Sequence, residues 1–393
     1  MAILVINAGS SSLKVAVIDP ISGVRRLSAL AERLGGDDAT LTIGKTAPEP
    51  LGDATATGAL RHLAPHLTGA DLRLHGVGHR VVHGGERFAE ATLIDEAVAV
   101  GIGACARLAP LHNPANLAGI QAARATFPQL PQVAVFDTAF HQSMPAVAWR
   151  YAVPEAWYRE HGVRRYGFHG TSHRFVAARA AELIGRPLGQ LKLVTAHLGN
   201  GCSACAIDGG RSLDTTMGLT PLEGLVMGTR SGDLDPGILA HIASATGQDI
   251  TELTTVLNRD SGLLGLSGLS NDLRTVQEAA AIGHAGAELA IAVFCYRLAK
   301  AIAALTVALG RLDALVFTGG IGEHSASVRA RTLARLGFIG LVEDAAANAA
   351  HGPDRGRITR PGAALALVVP TDEELLIARD TAALIAGRGN SRS

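Results

Sequence analysis

The chain opens on a block pattern that recurs in its second half. Ile3-Leu4-Val5-Ile6 is apolar, Asn7-Ala8-Gly9-Ser10-Ser11-Ser12 is small and mostly polar, and Leu13-Lys14-Val15-Ala16-Val17-Ile18-Asp19 is apolar again apart from one lysine. Later, Leu193-Val194-Thr195-Ala196-His197-Leu198 runs into Gly199-Asn200-Gly201 and returns as Cys202-Ser203-Ala204-Cys205-Ala206-Ile207-Asp208. Two apolar runs joined by so short a polar turn predict a β-hairpin, and Asn-Gly is a strong signal for one. Each turn leaves backbone N–H groups uncovered by side chains, as a nest around phosphate oxygens requires. One such hairpin is a common structural unit. Two of them, about half a chain apart, predict two related lobes that grip a nucleotide's phosphates between them.

The remaining pattern is α/β alternation. Strands are expected at 39–43, 77–83, 132–136 and 314–318, with another ending at Val368-Val369. Helices are expected at 58–67, 114–127, 171–184 and 285–310, with an amphipathic one closing the chain at 375–386. A polar, glycine-rich stretch fills 214–237, and no low-complexity linker interrupts the chain. The lobes are expected to comprise 1–145 with 375–393, and 146–374.

Composition narrows the class. A length of 393 residues, 48% of them hydrophobic, is ample for two buried cores and excludes global disorder. Lys plus Arg balances Asp plus Glu at 35 each, so no net field draws the chain to nucleic acid or to an anionic membrane. The first residues run straight into a polar glycine loop with no basic leader, which predicts a cytoplasmic protein. In the apolar segment 285–310, Glu288, Arg297 and Lys300 break the run into pieces too short to span a bilayer. It is expected to be a buried helix, part of whose surface packs on a second subunit. Cys202 and Cys205 lack a second pair to complete a metal site and face opposite sides of a strand.

No G-x-x-x-x-G-K-[ST] loop, protein-kinase signature or complete dinucleotide fingerprint is present. Within the two-hairpin plan, Lys14 is placed to reach a terminal phosphate and Asn7 to face a magnesium ion or its waters. Arg80 and Arg230 are each flanked by glycines, and arginine forks onto carboxylate or phosphoryl oxygens. Asp137 follows a strand, at the end that lines the ligand crevice in open α/β sheets. His169, at a turn opening a helix, can donate to developing phosphoryl charge. Glu373, just before the closing helix, can hold magnesium. For each of these the plain alternative is a surface ion pair or a structural side chain, and most of the fifteen histidines must be structural.

Five segments carry a resemblance: Asn7 through Lys14, His79-Arg80-Val81-Val82-His83-Gly84-Gly85, Phe136-Asp137-Thr138-Ala139-Phe140-His141, Gly167-Phe168-His169-Gly170-Thr171-Ser172-His173, and His197 through Gly201. With Met217 to Pro236 and Phe317 to Ser325, they resemble, in order and over nearly the whole chain, the acetate and butyrate kinases of the actin-like ATPase superfamily. The resemblance implies a two-lobed, duplicated, ribonuclease H-like α/β fold with its active site in the interlobe cleft. It further implies reversible, direct in-line transfer of the γ-phosphoryl group of ATP to acetate, giving acetyl phosphate and ADP, with Mg2+ or, as a substitute, Mn2+.

Carried over residue by residue, Arg80 would hold the acetate carboxylate, with Val82, Leu111, Phe168 and Pro221 as its small apolar pocket. Asp137, His169 and Arg230 would be catalytic, and Asn7 and Glu373 would sit at the metal. Lys14, His197, Leu198, Gly199, Asn200, Gly201, Asp272, Leu273, Arg274, Gly320, Ile321, Gly322, Glu323 and His324 would surround ATP. His324 departs from the family pattern, in which asparagine often follows Gly-Ile-Gly-Glu. A homodimer is expected from the apolar helix, and the charge balance predicts neither nucleic acid nor membrane as a partner.

Two other readings compete. A propionate kinase of the same family needs only slight relief in the pocket, because one methylene changes binding by about 1–3 kcal/mol. A nucleotide-gated scaffold or chaperone would have no use for an arginine in a small apolar pocket.

Overall fold

The computed structural model describes residues 1–67, 72–110 and 112–390. The chain forms two compact units, residues 1–142 with 372–393 and residues 143–371. The crossings thus fall a few residues before the boundaries read from the sequence.

In the first unit, strands β1 (Ala2–Ala8), β2 (Ser12–Ile18), β3 (Arg25–Glu32), β4 (Thr40–Ile43), β5 (Glu49–Pro50), β6 (Leu74–Val81), β7 (Thr92–Leu93) and β8 (Gln132–Phe136) form one sheet, ordered β5-β4-β3-β2-β1-β6-β8-β7. β1 is antiparallel to β2 and parallel to β6, which is parallel to β8. β1 reads as an unbroken apolar run because both its faces are covered. Leu4, Ile6 and Ala8 join Leu60, Leu63, Ala122 and Ala123 in a core under helices Ala56–Leu63 and Asn113–Thr126. The closing helix Glu373–Asn390 also packs on β1, β2, β6 and β8.

Close approach of that helix depends on two glycines in β6. A Cβ on Gly78 would lie 2.4 Å from Thr381 Oγ1 and 2.7 Å from Ile377 Cγ2, and one on Gly76 would lie 2.3 Å from Ile385 Cδ1. Gly76, Gly78 and Arg80 alternate onto one face of the strand, so the face that admits the helix is also the face that carries the arginine.

The second unit has a five-stranded sheet of β9 (Lys192–Leu198), β10 (Cys202–Asp208), β11 (Arg211–Thr215), β12 (Ala314–Thr318) and β13 (Leu365–Val368), ordered β11-β10-β9-β12-β13. β9 is antiparallel to β10 and parallel to β12, and β12 is parallel to β13. The same pairing scheme therefore occurs in β3-β2-β1-β6-β8 and in β11-β10-β9-β12-β13, as the repeated hairpin requires.

The apolar segment forms helix Ala285–Leu309, packed on β9, β10 and β11. Among the described residues it is the one helix long and apolar enough to cross a membrane. Phe294, Leu298 and Ile302 are buried, whereas Leu289, Tyr296 and Val307 on other faces are exposed.

Several expected elements differ in extent; the closing helix, expected at 375–386, runs Glu373–Asn390 and so includes Glu373. The first helix ends at Leu63 and continues as a 3-10 turn, Ala64–Leu67, where Pro65 lacks the N–H an α-helix would use. Strand β6 ends at Val81, because the N–H groups of Val82 and His83 donate to the side chains of Asn116 and Asn113 rather than to a neighbouring strand.

Replacing Gly78 by alanine is expected to destabilise the first unit by about 1–3 kcal/mol through overpacking against the closing helix. Thermal melting checks this, and an unchanged midpoint would mean that the helix yields freely.

Candidate active site

Sheet register assembles a polar row in the first unit. Lys14 lies opposite Asn7 across the first hairpin, Arg80 is the penultimate residue of β6, and Asp137 follows β8 with its N–H donating to Val81 O at 3.0 Å. The helix that Gly76 and Gly78 admit brings Glu373 and Glu374 to this row in its first turn. Arg80 Nε and Nη2 donate to Asp137 Oδ2 at 3.0 and 2.6 Å, and Nη1 lies 3.5 Å from Asn7 Oδ1. Glu373 Oε2 is 3.9 Å from Arg80 Nε, and Lys14 Nζ is 3.0 Å from Glu374 Oε1.

Asp137 is 1% exposed, and Arg80 supplies a charge partner to this buried carboxyl group. The Asp137 charge in turn drives the Arg80 pKa above its ordinary value, against the opposing effect of burial. Burial raises the Glu373 pKa above the usual carboxylate range, with Asp137 and Glu374 adding to the effect and Arg80 and Lys14 opposing it. The row thus gathers Asp137, Glu373 and Glu374 with Arg80 and Lys14, and Arg25 pairs with Glu374 at its edge at 2.7 Å.

Beyond Arg80 the chain turns through residues 82–85, held by side chains that the sequence did not single out. Asn116 Oδ1 accepts from Val82 N at 2.9 Å while Asn116 Nδ2 donates to Ala8 O at 2.7 Å. Asn113 bonds His83 in both directions, and Gly84 N donates to Thr138 Oγ1 at 3.0 Å. Val82, two residues after Arg80, is buried. Leu111 lies outside the described residues.

A second polar group forms in the other unit. His169 sits at φ +57°, the left-handed region that costs a non-glycine residue of order 1–3 kcal/mol, immediately before helix Gly170–Ile184. That turn aims its ring at the second hairpin: Nδ1 is 2.9 Å from Ser203 Oγ, and the ring lies 4.4 Å from that of His197. A Cβ on Gly201 would stand 3.4 Å from both His169 Nε2 and Arg230 Nη2, so the glycine leaves room for both side chains. Burial lowers the Arg230 pKa from its ordinary value.

Arg230 Nη1 donates to Pro221 O at 2.7 Å. The loop bearing Pro221 is anchored by Arg165, which donates to the carbonyls of Thr215, Thr216 and Met217 and to Glu223. Phe168 is buried next to His169.

Gly199, Asn200, Asp272, Leu273, Arg274, Gly320, Ile321 and His324 line one pocket of about 540 Å³, joined by Asn271, Gln277 and Ser325. Ser325 ends the Phe317 to Ser325 segment read from the sequence, whereas Asn271 and Gln277 were not singled out there, although Asn271 directly precedes the Asp272-Leu273-Arg274 run. The other residues expected around ATP are placed differently. His197 bonds Ser172 at 2.8 Å, Leu198 and Gly322 are buried, and Gly201 borders Arg230. Glu323 Oε1 accepts from Gly319 N at 2.9 Å and Thr371 N at 3.2 Å, holding the turn together, and Lys14 belongs to the row around Arg80.

The acetokinase family model matches residues 2–379. The chain belongs to the acetokinase family. An acetate kinase of Deinococcus radiodurans is 57% identical over 98% of both chains. Among solved structures, a Porphyromonas gingivalis acetate kinase has a TM-score of 0.92 at 41% identity, covering 98% of this chain and 99% of that one. A Francisella tularensis propionate kinase has a TM-score of 0.93 at 42% identity, covering 97% of this chain and 99% of that one.

Among the described residues no three His, Cys, Asp or Glu side chains cluster as a ready-made cation cage. Magnesium does not need one, since it keeps several waters and takes one or two protein oxygens beside substrate phosphates. Asn7 and Glu373 offer hard oxygen donors, and the crowding that raises the Glu373 pKa would be relieved by a divalent cation. This acetokinase-family row therefore fits the ion.

Truncating Asp137 to alanine leaves the Arg80 charge without its buried partner and is expected to cost the first unit about 3–5 kcal/mol. Chemical denaturation checks this, and a midpoint equal to that of the unmodified chain would show that Glu373 alone suffices for Arg80.

Proposed function

We propose that the chain transfers the γ-phosphoryl group of ATP to acetate, reversibly and with Mg2+, giving acetyl phosphate and ADP. The observation that carries this reading is Arg80, fixed by Asp137 at the end of β6 next to buried Val82. A guanidinium presented in a fixed orientation beside a small apolar surface suits a short carboxylate, whose oxygens it can fork while the methyl group meets Val82.

Carboxylates with reference pKa values near 4 are already ionised at neutral pH, so the nucleophile needs no strong base. Catalysis is then mostly positioning and charge stabilisation around an in-line transfer. Asp137 orients Arg80. His169 and Arg230, whose side chains come together beside Gly201, donate to the equatorial oxygens of the transferring group. The 540 Å³ pocket takes the nucleoside end of ATP. Magnesium, when bound, neutralises phosphate charge, and Asn7 and Glu373 hold it. In-line transfer requires the reacting oxygen and phosphorus about 3–3.5 Å apart, which excludes an intervening water. The exposed apolar side chains Leu289 and Tyr296, with helix Gly237–Thr246, which buries none of its residues, supply a surface for the homodimer.

The direct test is hydroxamate detection of acyl phosphate with ATP, magnesium and a panel of formate, acetate, propionate and butyrate. Acetate is expected to give the highest kcat/KM, and formation of no acyl phosphate with any acid would overturn the assignment. In the same assay Arg230→Ala is expected to lower kcat by about 10²- to 10³-fold, as loss of one transition-state donor does. Val82→Ala is expected to raise propionate use relative to acetate by about tenfold, since one methylene is worth roughly 1–3 kcal/mol. An unchanged ratio would place the methyl pocket elsewhere.

A further inference from the structure

His169 is held by a chain of buried hydroxyl and imidazole groups that can set its tautomer. Its Nδ1 lies 2.9 Å from Ser203 Oγ, Ser203 Oγ lies 2.8 Å from His173 Nε2, and His173 Nδ1 lies 2.7 Å from Thr195 Oγ1. Ser203, His173 and Thr195 have no exposed surface. A serine hydroxyl has one hydrogen and two lone pairs, and a neutral imidazole has one donor and one acceptor nitrogen, so His169 Nδ1 either accepts from Ser203 Oγ or donates to it.

In one order, Thr195 donates to His173 Nδ1, His173 Nε2–H donates to Ser203, and Ser203 donates to His169 Nδ1. The proton of His169 then sits on Nε2, the atom that shares the gap at Gly201 with Arg230. In the reverse order His169 carries its proton on Nδ1 and turns a lone pair toward that gap, where it would repel phosphoryl oxygens. A neutral His169 donates toward that gap only in the first order.

We propose that Ser203 is a positioning residue that sets the tautomer of His169, donating to Nδ1 so that the imidazole presents Nε2–H to the transferring group. The register supports a site role for Ser203. It lies opposite His197 across the second hairpin, as Lys14 lies opposite Asn7 across the first. The inference rests on the phosphoryl-transfer reading above, and its test has a readout that does not depend on activity.

The imidazole nitrogens of the full-length 15N-labelled chain report the tautomer by NMR, with His169 assigned by comparison with His169→Gln. Unmodified protein is expected to show neutral His169 protonated at Nε2, and Ser203→Ala a mixture of both tautomers. Kinetically, Ser203→Ala is expected to lower kcat about tenfold, the equivalent of one hydrogen bond, with the KM values for acetate and ATP within about twofold. Thr195→Val, nearly isosteric and one link further away, is expected to shift the His173 signals and lower kcat less, which keeps the test open if Ser203→Ala folds poorly. A proton on Nδ1 in the unmodified protein, or an unchanged His169 tautomer in well-folded Ser203→Ala, would overturn the proposal. Absence of acyl phosphate with every acid would instead overturn the functional reading and leave the tautomer result standing.

Discussion

Arg80 and Asp137 form the contact from which the rest of the first unit's site is built. Their strands are parallel neighbours, so both side chains reach the same edge of the sheet on the same face, and Asp137 is almost wholly buried. A buried carboxylate and a guanidinium are costly apart and tolerable only together. That requirement locks the guanidinium into one orientation with nitrogen left to offer a ligand. The glycines below Arg80 exist for the same assembly, since they let the closing helix lie close enough to bring Glu373 within 3.9 Å of it.

The second unit meets a different demand with the same strand scheme. At the register position where the first hairpin has Asn7 opposite Lys14, the second has His197 opposite Ser203. The first pair lies with charged groups and an oxygen-donor set. The second lies among neutral hydroxyl and imidazole groups, with Arg230 as the nearby cation. One duplicated frame thus carries a row of charged side chains in one copy, and a set of hydroxyl and imidazole groups in the other. Membership of the acetokinase family accords with that division of labour.

Much of this was legible in the sequence because its strongest signals are local. The two hairpins, strand Gln132–Phe136 and helix Gly170–Ile184 follow from apolar period and turn chemistry, and the glycine-flanked arginines stood out by their neighbours. What escaped was either weakly patterned or set by distant partners. Strand Arg25–Glu32 carries charge and is half exposed, and helix Gly237–Thr246 buries none of its residues, so neither has a clear core face to read. Asn113, Asn116, Arg165 and Ser203 are ordinary polar residues in the sequence. Each acquires its role from a carbonyl, N–H or ring nitrogen at least 25 residues away, a relation that no local pattern records.

Chemical rescue tests the account most directly. If Arg80 acts as a guanidinium fork for the acid, Arg80→Gly should retain little acyl phosphate formation from acetate. Added guanidinium ion should restore a substantial part of the rate in a saturable manner, while ammonium at the same ionic strength should not. Equal recovery with both cations, or near-normal turnover without either, would contradict the claim that a fixed guanidinium at the end of β6 holds the substrate carboxylate.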